Sequence, residues 1–208
     1  MFCKRVQYFI KRIMDVLISI IVLIVLSPFL IIVALLIKIT SPGPIFFVQE
    51  RIGKGGKPFR LIKFRTMVKD AERITKGVHI DNTNPYITKV GRFLRKWSID
   101  EIPELINVLK GEMSLVGPRP TLAYQVKKYS DFQKRRLLVK PGLTGWAQVN
   151  GRNAIPWEER IKLDIWYIDH WSLWLDIVIL FKTLKVLFRG DEAPLKKDNI
   201  VRVEDNEL

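Results

Sequence analysis

The sequence predicts an α+β chain, mainly helical. It reads as a monotopic membrane protein with an N-terminal re-entrant helix broken at Ser27-Pro28, interfacial amphipathic helices and a small β-hairpin. Three observations lead there. Residues 13–39 are almost continuously apolar, basic residues lie on both sides of that block, and a proline sits in its middle. At about 1.5 Å per residue the block is about 40 Å long if straight, enough to span a hydrocarbon core of about 30 Å. It is too long for a cleaved leader and has no small-x-small site before the polar region.

Charge placement argues against spanning. Lys4, Arg5, Lys11 and Arg12 precede the block; Lys38, Arg51, Lys54, Lys57, Arg60, Lys63 and Arg65 follow it. Positive residues mark the cytoplasmic side, so both ends ask for the same face. Pro28 removes a backbone donor and bends a helix, and the Ser27 hydroxyl can serve a freed carbonyl. Two arms of about 20 Å, each entering one leaflet, satisfy both demands. A kinked transmembrane helix is the alternative.

The chain has 208 residues, a formal net charge of +14 and one cysteine, Cys3. A sequence pI near 10.0 calls for an anionic partner: nucleic acid, an anionic membrane surface or a phosphorylated substrate. No zinc-finger spacing or aromatic RNA-binding signature supports nucleic acid, and His79 and His170 belong to no transition-metal cluster. A single cysteine excludes an internal disulfide framework.

Three parts are expected: a re-entrant helix over 1–40, a catalytic domain with membrane-interface helices over 41–190, and a polar tail over 191–208. Residues 44–49 and 59–64 read as strands of a hairpin around the glycine-rich 53–57 turn. Residues 68–88 read as a helix and a variable loop. Helical periodicity returns over 90–97 and 102–109, and 124–138 is a basic amphipathic stretch. The run 171–188, with Trp171, Trp174 and Phe181 among aliphatic residues, suits either a headgroup-level helix or an ordinary core helix.

Asp100 and Glu101 are adjacent carboxylates at a predicted helix start. Taken alone they fit a capping box, Ser98 followed three residues later by Glu101, and acidic residues in a first turn complement the helix dipole. The surroundings carry phosphate chemistry. Arg119 is flanked by Pro118 and Pro120, a stiff backbone that suits bidentate phosphate recognition. Lys63 and Arg65 fall on one side of a predicted strand, and Arg95 precedes the carboxylates.

Together these segments resemble the monotopic phosphoglycosyl transferases, the bacterial sugar transferase family. The resemblance runs through Lys11-Arg12-x-x-Asp15, Ser27-Pro28, Lys63-Phe64-Arg65-Thr66-Met67, Ser98-Ile99-Asp100-Glu101, the stretch 107–120 ending in Pro118-Arg119-Pro120, and the stretch 140–153 that includes Arg152. It implies a re-entrant Ser-Pro helix, a UDP-sugar and undecaprenyl phosphate as substrates, UMP and an undecaprenyl-diphosphate sugar as products, and a requirement for Mg2+. It implies that Asp100 is a covalent nucleophile and that Asp100 and Glu101 form the catalytic dyad. It also implies a minimal catalytic unit without the added membrane domain of larger relatives. From these roles, Asp100 and Glu101 are the expected metal ligands. Lys63, Arg65, Arg95, Arg119 and Arg152, with the flanking Pro118 and Pro120, are the expected phosphate-binding set. Lys11 and Arg12 are expected to meet anionic headgroups or the carrier phosphate. The bacterial inner membrane, cytoplasmic face, is the expected location; a homodimer is open, and the sugar is undetermined, with 69–88 the expected selecting loop. An inactive membrane-bound partner in polysaccharide assembly is the rival reading.

Overall fold

An apolar helix that finds too little protein to cover it dominates the architecture. The computed structural model describes residues 2–71, 84–151 and 155–189. Arg152, most of the expected selecting loop 69–88 and the tail 191–208 lie outside them. Helix α1 spans Phe2–Thr40, 39 residues with Pro28 inside. Its most apolar 18-residue window has a mean hydropathy of 3.4, and 11% of that window is buried. Ile24 and Val25 are 67% and 68% exposed. A core helix of such composition would be covered by protein; this one is left for lipid. The chain is membrane-associated.

The expected break at Ser27-Pro28 is corrected in one respect: a single helical element runs through both residues. The local chemistry explains its survival. Pro28 has no N–H to offer the carbonyl four residues back, that of Ile24. The Ser27 hydroxyl donates to that Ile24 carbonyl at 2.8 Å. The Ile24 carbonyl therefore keeps a partner despite the proline, as a lipid environment requires.

After α1, strands β1 (Phe46–Ile52) and β2 (Pro58–Phe64) form the expected antiparallel hairpin, with Phe46 opposite Phe64 and Ile52 opposite Pro58. The turn uses positive φ at Gly55 and Gly56 (68° and 76°), where a side chain would be strained. Helix α2 (Lys89–Lys96) is capped by Thr88, whose side chain accepts from Gly91 N. A Cβ at Gly91 would lie 1.9 Å from the Thr66 carbonyl, so only glycine lets α2 pack on the end of the hairpin.

Helix α3 (Glu104–Lys110) ends at Gly111 in the left-handed region, φ 83°. Strand β3 (Ser114–Val116) then pairs in parallel with β4 (Gly142–Thr144), Ser114 opposite Gly142 and Val116 opposite Thr144. Between them the expected amphipathic stretch divides into α4 (Ala123–Lys127), α5 (Asp131–Lys134) and a 3-10 turn at Arg135–Leu138. Helix α6 (Trp146–Val149), helix α7 (Trp157–Asp169) and helix α8 (Leu173–Arg189) complete the described chain. Helix α8 buries Ile179 and Asp176 while Trp174 and Phe181 are about 70% exposed, so it is both a core helix and an apolar surface.

One core gathers Phe59, Leu61, Leu105, Val108, Met113, Leu115, Val116, Tyr167 and Ile179, with Ile18, Val22 and Leu23 of α1 packed against it. A second gathers Phe64 and Leu94 around Val33 and Ile37 of α1. Two stretches of α1, around 18–23 and 30–37, thus rest on protein, while exposed apolar residues run along the helix from Val6 to Ile39.

Candidate active site

The acidic pair is built on a short 3-10 turn, Ile99–Glu101, that joins α2 to α3. Ser98 enters it with φ 53° and makes no side-chain capping bond. The capping-box alternative therefore fails: Glu101 turns its carboxylate away from the backbone. A serine in the left-handed region is strained, and such strain is held only where the surroundings fix it.

Glu101 Oε1 accepts from Lys63 Nζ and from Arg119 Nη2, each at 2.6 Å. Lys63 is shared: its Nζ also lies 2.9 Å from Glu104 Oε1. Strand β2, the turn, the start of α3 and the segment after β3 each contribute one member. Glu104 is 2% exposed, and burial, only partly countered by Lys63, pushes its carboxyl up to about 7. Burial would raise Glu101 too, but Arg119 and Lys63 outweigh it and hold that carboxyl well below the ordinary range. Burial would lower the Lys63 ammonium, but Glu101 and Glu104 raise it; Arg119 is raised, chiefly by Glu101.

Asp100 differs. Among the described residues no group hydrogen-bonds to its carboxylate. Burial and then the Glu101 charge raise it, while Lys63, Arg95 and Arg119 pull it the other way from a distance. The site thus offers one carboxylate with free lone pairs beside another tied to two cations.

The structure gathers Lys63, Asp100, Glu101 and Arg119, with Arg95 alongside. Arg95 Nε donates to Thr66 Oγ1 at 2.8 Å, and burial lowers its guanidinium while Asp100 and Glu101 hold it up. Pro118 and Pro120 are buried and Arg119 between them is exposed, as a stiff presenting arm requires. Arg65 is not brought in. The residue is 6% exposed, and its guanidinium donates to the Ser41 carbonyl at 2.7 Å and to the Pro42 carbonyl, fastening the exit of α1. The contacts it makes are structural ones at the exit of α1.

Lys11 and Arg12 likewise make contacts within the fold. Lys11 Nζ donates to Asp176 Oδ2 at 2.6 Å and to the Val116 carbonyl at 3.0 Å. Arg12 donates to the Val108 and Leu109 carbonyls at 2.6 and 2.9 Å, closing the C-terminus of α3. Three residues on, buried Asp15 accepts from Ser114 Oγ at 2.8 Å and Leu115 N at 3.0 Å. The Lys11-Arg12-x-x-Asp15 segment therefore fastens α1 to α3, β3 and α8.

Sequence reasoning gave no role to Glu104, Asn107 or Asp15. Asn107, fully buried, accepts from Ile62 N and donates to the Arg60 carbonyl and Glu112, holding β2 against α3. Asp15 had a legible signal, since an ionisable residue in an apolar run demands a partner. Glu104 lies three residues beyond Glu101, one turn on.

A family model described as bacterial sugar transferase matches residues 6–190. The chain is 48% identical over 175 residues to the uncharacterized sugar transferase EpsL of Bacillus subtilis, covering 84% of this chain and 85% of that one. It is 43% identical over 205 residues to the undecaprenyl-phosphate galactose phosphotransferase of Salmonella typhimurium, covering 91% of this chain and 43% of that one. It is 41% identical over 195 residues to the UDP-glucose:undecaprenyl-phosphate glucose-1-phosphate transferase of Escherichia coli, covering 89% of this chain and 41% of that one. The chain therefore spans less than half the length of these last two relatives, and most of EpsL. With a matched segment that contains every element of the site, the chain belongs to the bacterial sugar transferase family.

Proposed function

We propose that this transferase moves a sugar-1-phosphate from a UDP-sugar to undecaprenyl phosphate, releasing UMP, at the first membrane step of glycan assembly. The activities named for the Salmonella and E. coli relatives support the substrate class. The observation that carries the chemistry is the Asp100 carboxylate, without a hydrogen-bond partner among the described residues, beside a Glu101 held by two cations.

Asp100 attacks the sugar-bearing phosphorus; the P–O bond to UMP breaks and an aspartyl phosphate forms. The carrier phosphate then attacks that phosphorus and Asp100 leaves as carboxylate. Burial leaves Asp100 poorly solvated and so more reactive. Lys63 and Arg119 are placed to exchange part of their contact with Glu101 for the donor's phosphate oxygens, and Arg95 approaches from α2. Covalent transfer suits a soluble donor and a lipid acceptor, because each takes its turn.

Mg2+ fits the donor set: the Asp100 carboxylate and Glu101 Oε2, the oxygen not engaged by Lys63 or Arg119. One or two carboxylates plus substrate phosphates is its usual pattern. When bound it would neutralise charge on the diphosphate.

Helix α1 is read as re-entrant, bent at Pro28, with both ends at the cytoplasmic face of the bacterial inner membrane. Support comes from its contacts. Asp15 and Val33, about 27 Å apart along the axis of a straight helix, both pack on protein.

The test is UMP release from a panel of UDP-sugars with Mg2+ and undecaprenyl phosphate, for wild type and Asp100→Asn. Carrier-dependent UMP from one sugar, abolished in the variant, is expected. Release of UDP would mean that only the sugar is transferred and would sink the mechanism. Undiminished glycan in cells carrying Asp100→Asn would favour the inactive-partner reading.

A further inference from the structure

Arg119 has to be held still to meet a diphosphate, and its own backbone offers little to hold. Pro118 and Pro120 have no N–H, so the segment is fixed chiefly through its carbonyls. All three accept a bond. Pro118 O accepts from Gly142 N at 2.8 Å, which belongs to the β3–β4 pairing. Pro120 O accepts from Arg51 Nη1 at 3.4 Å, a long contact. Arg119 O accepts from Arg136 Nη2 at 3.1 Å.

Arg136 is unlike a surface arginine. It is 5% exposed and comes from the 3-10 turn at Arg135–Leu138. Its Nη2 also pairs with Asp164 Oδ2 of α7 at 2.7 Å, and Nη1 donates to the Tyr129 hydroxyl. The Trp157 and Tyr129 rings lie 5.2 and 5.8 Å from the guanidinium carbon. Asp164 is 2% exposed. A buried ion pair of this kind adds little stability over apolar residues of the same size. What apolar residues cannot supply is the additional N–H that reaches the Arg119 carbonyl.

We propose that Arg136, neutralised by Asp164, is a positioning residue that sets where the Arg119 guanidinium meets the donor diphosphate. The proposal rests on the reading of Arg119 as a phosphate contact. Arg136 touches neither Asp100 nor Glu101 nor, on this geometry, the substrate; it acts through the carbonyl it holds. Its planar fork serves Asp164, Tyr129 and Arg119 together, which a lysine ammonium cannot do with the same geometry.

Removing one partner strands the other charge in the core and endangers folding. The informative variant is therefore Arg136→Met combined with Asp164→Leu, beside Arg136→Lys and Arg119→Ala. UMP release gives kcat and the KM for donor and carrier; UDP binding is measured in parallel. The double variant is expected to fold, with donor KM and the UDP dissociation constant raised roughly ten-fold, the loss of about one charge-assisted hydrogen bond. Carrier KM stays as in wild type and kcat changes less than donor KM. Arg136→Lys falls between. A folded double variant with wild-type donor KM and UDP binding, while Arg119→Ala is impaired, overturns the proposal alone. Unchanged donor KM and UDP binding in Arg119→Ala overturns the underlying reading of Arg119 and the proposal with it. A kcat loss with unchanged donor KM also overturns it, since that pattern belongs to a disturbed reaction centre.

Discussion

Arg119 Nη2 lies 2.6 Å from Glu101 Oε1, joining the segment after β3 to the turn before α3 across 18 positions of sequence. Half of the Arg119 side chain is exposed and 20% of that of Glu101. The pair is therefore a contact that an incoming phosphate can reach and remodel. Arg119→Lys keeps the charge and loses the planar fork. Donor KM is expected to rise roughly ten-fold or more, the scale of a lost charge-assisted hydrogen bond, with carrier KM unchanged. Initial rates at varied UDP-sugar check this; an equal rise in both KM values would argue against a donor-side role.

In the proposed mechanism Asp100 must be ionised to attack, and its carboxyl is raised by burial and by Glu101. Activity should therefore fall on the acid side, with the limb of kcat/KM centred above the ordinary aspartate value near 3.8. Arg95→Met removes a charge that opposes the shift, so its limb should move to still higher pH. Profiles of wild type and variant under one Mg2+ concentration decide this, and a limb moving to lower pH would contradict the assignment.

Several of these groups were legible in the sequence, and the reason differs for each. The hairpin announced itself through strand runs on either side of a glycine turn, and Lys63 followed from its strand. Arg119 stood out because two prolines fix its backbone. Arg65, Lys11 and Arg12 were equally visible as cations, but charge alone does not say whether carbonyls wait inside the fold; Ser41, Val108 and Leu109 supply them. The parallel pairing of Ser114 with Gly142 is non-local and leaves no local pattern. Arg136 fell in a basic amphipathic stretch and Asp164 drew no notice, and folding buries the two together.

Glu104 makes stability pH-dependent. Its folded-state value of about 7 lies above the ordinary 4.5 because burial disfavours the charged form. Below 4.5 both states hold the proton. Between 4.5 and 7 the unfolded chain releases it first, so wild type loses stability as pH rises, by on the order of 1–3 kcal/mol. Lys63 and Arg119 stay charged and Glu101 stays ionised across this window. Asp100 is present in both proteins, so comparison with Glu104→Gln isolates Glu104. The variant should show a flatter decline in melting temperature over the same range; parallel curves would rule the cause out.

Asp15 anchors α1 through two acceptor oxygens, one for Ser114 Oγ and one for Leu115 N. Asp15→Ala leaves both donors buried without partners, at about 1–3 kcal/mol each. Asp15→Asn can still accept from Leu115 N and donate to Ser114 Oγ, so about 1 kcal/mol or less is expected after rotation of the amide. Thermal inactivation in detergent should rank wild type, Asn and Ala in that order. Equal loss in both variants would mean that charge, and not hydrogen bonding, makes this anchor.

The re-entrant reading of α1 has a consequence for topology. Cys3 is the chain's one cysteine and precedes the apolar block, while Ile39 closes it and is 80% exposed. Ile39→Cys in a Cys3→Ser background gives a probe at the other end. If α1 returns to the face it left, an impermeant maleimide should miss both thiols in intact spheroplasts and reach both after permeabilisation. Pro28→Ala restores the N–H to the Ile24 carbonyl, which Ser27 now serves. A straight helix of 39 residues is about 58 Å long and favours crossing. The variant should expose one thiol to outside label in a fraction of molecules, against the pull of the Lys11, Arg12 and Asp15 anchors that keep the first arm on the catalytic body. Outside labelling of one thiol in the Pro28 form would mean that the native helix already spans.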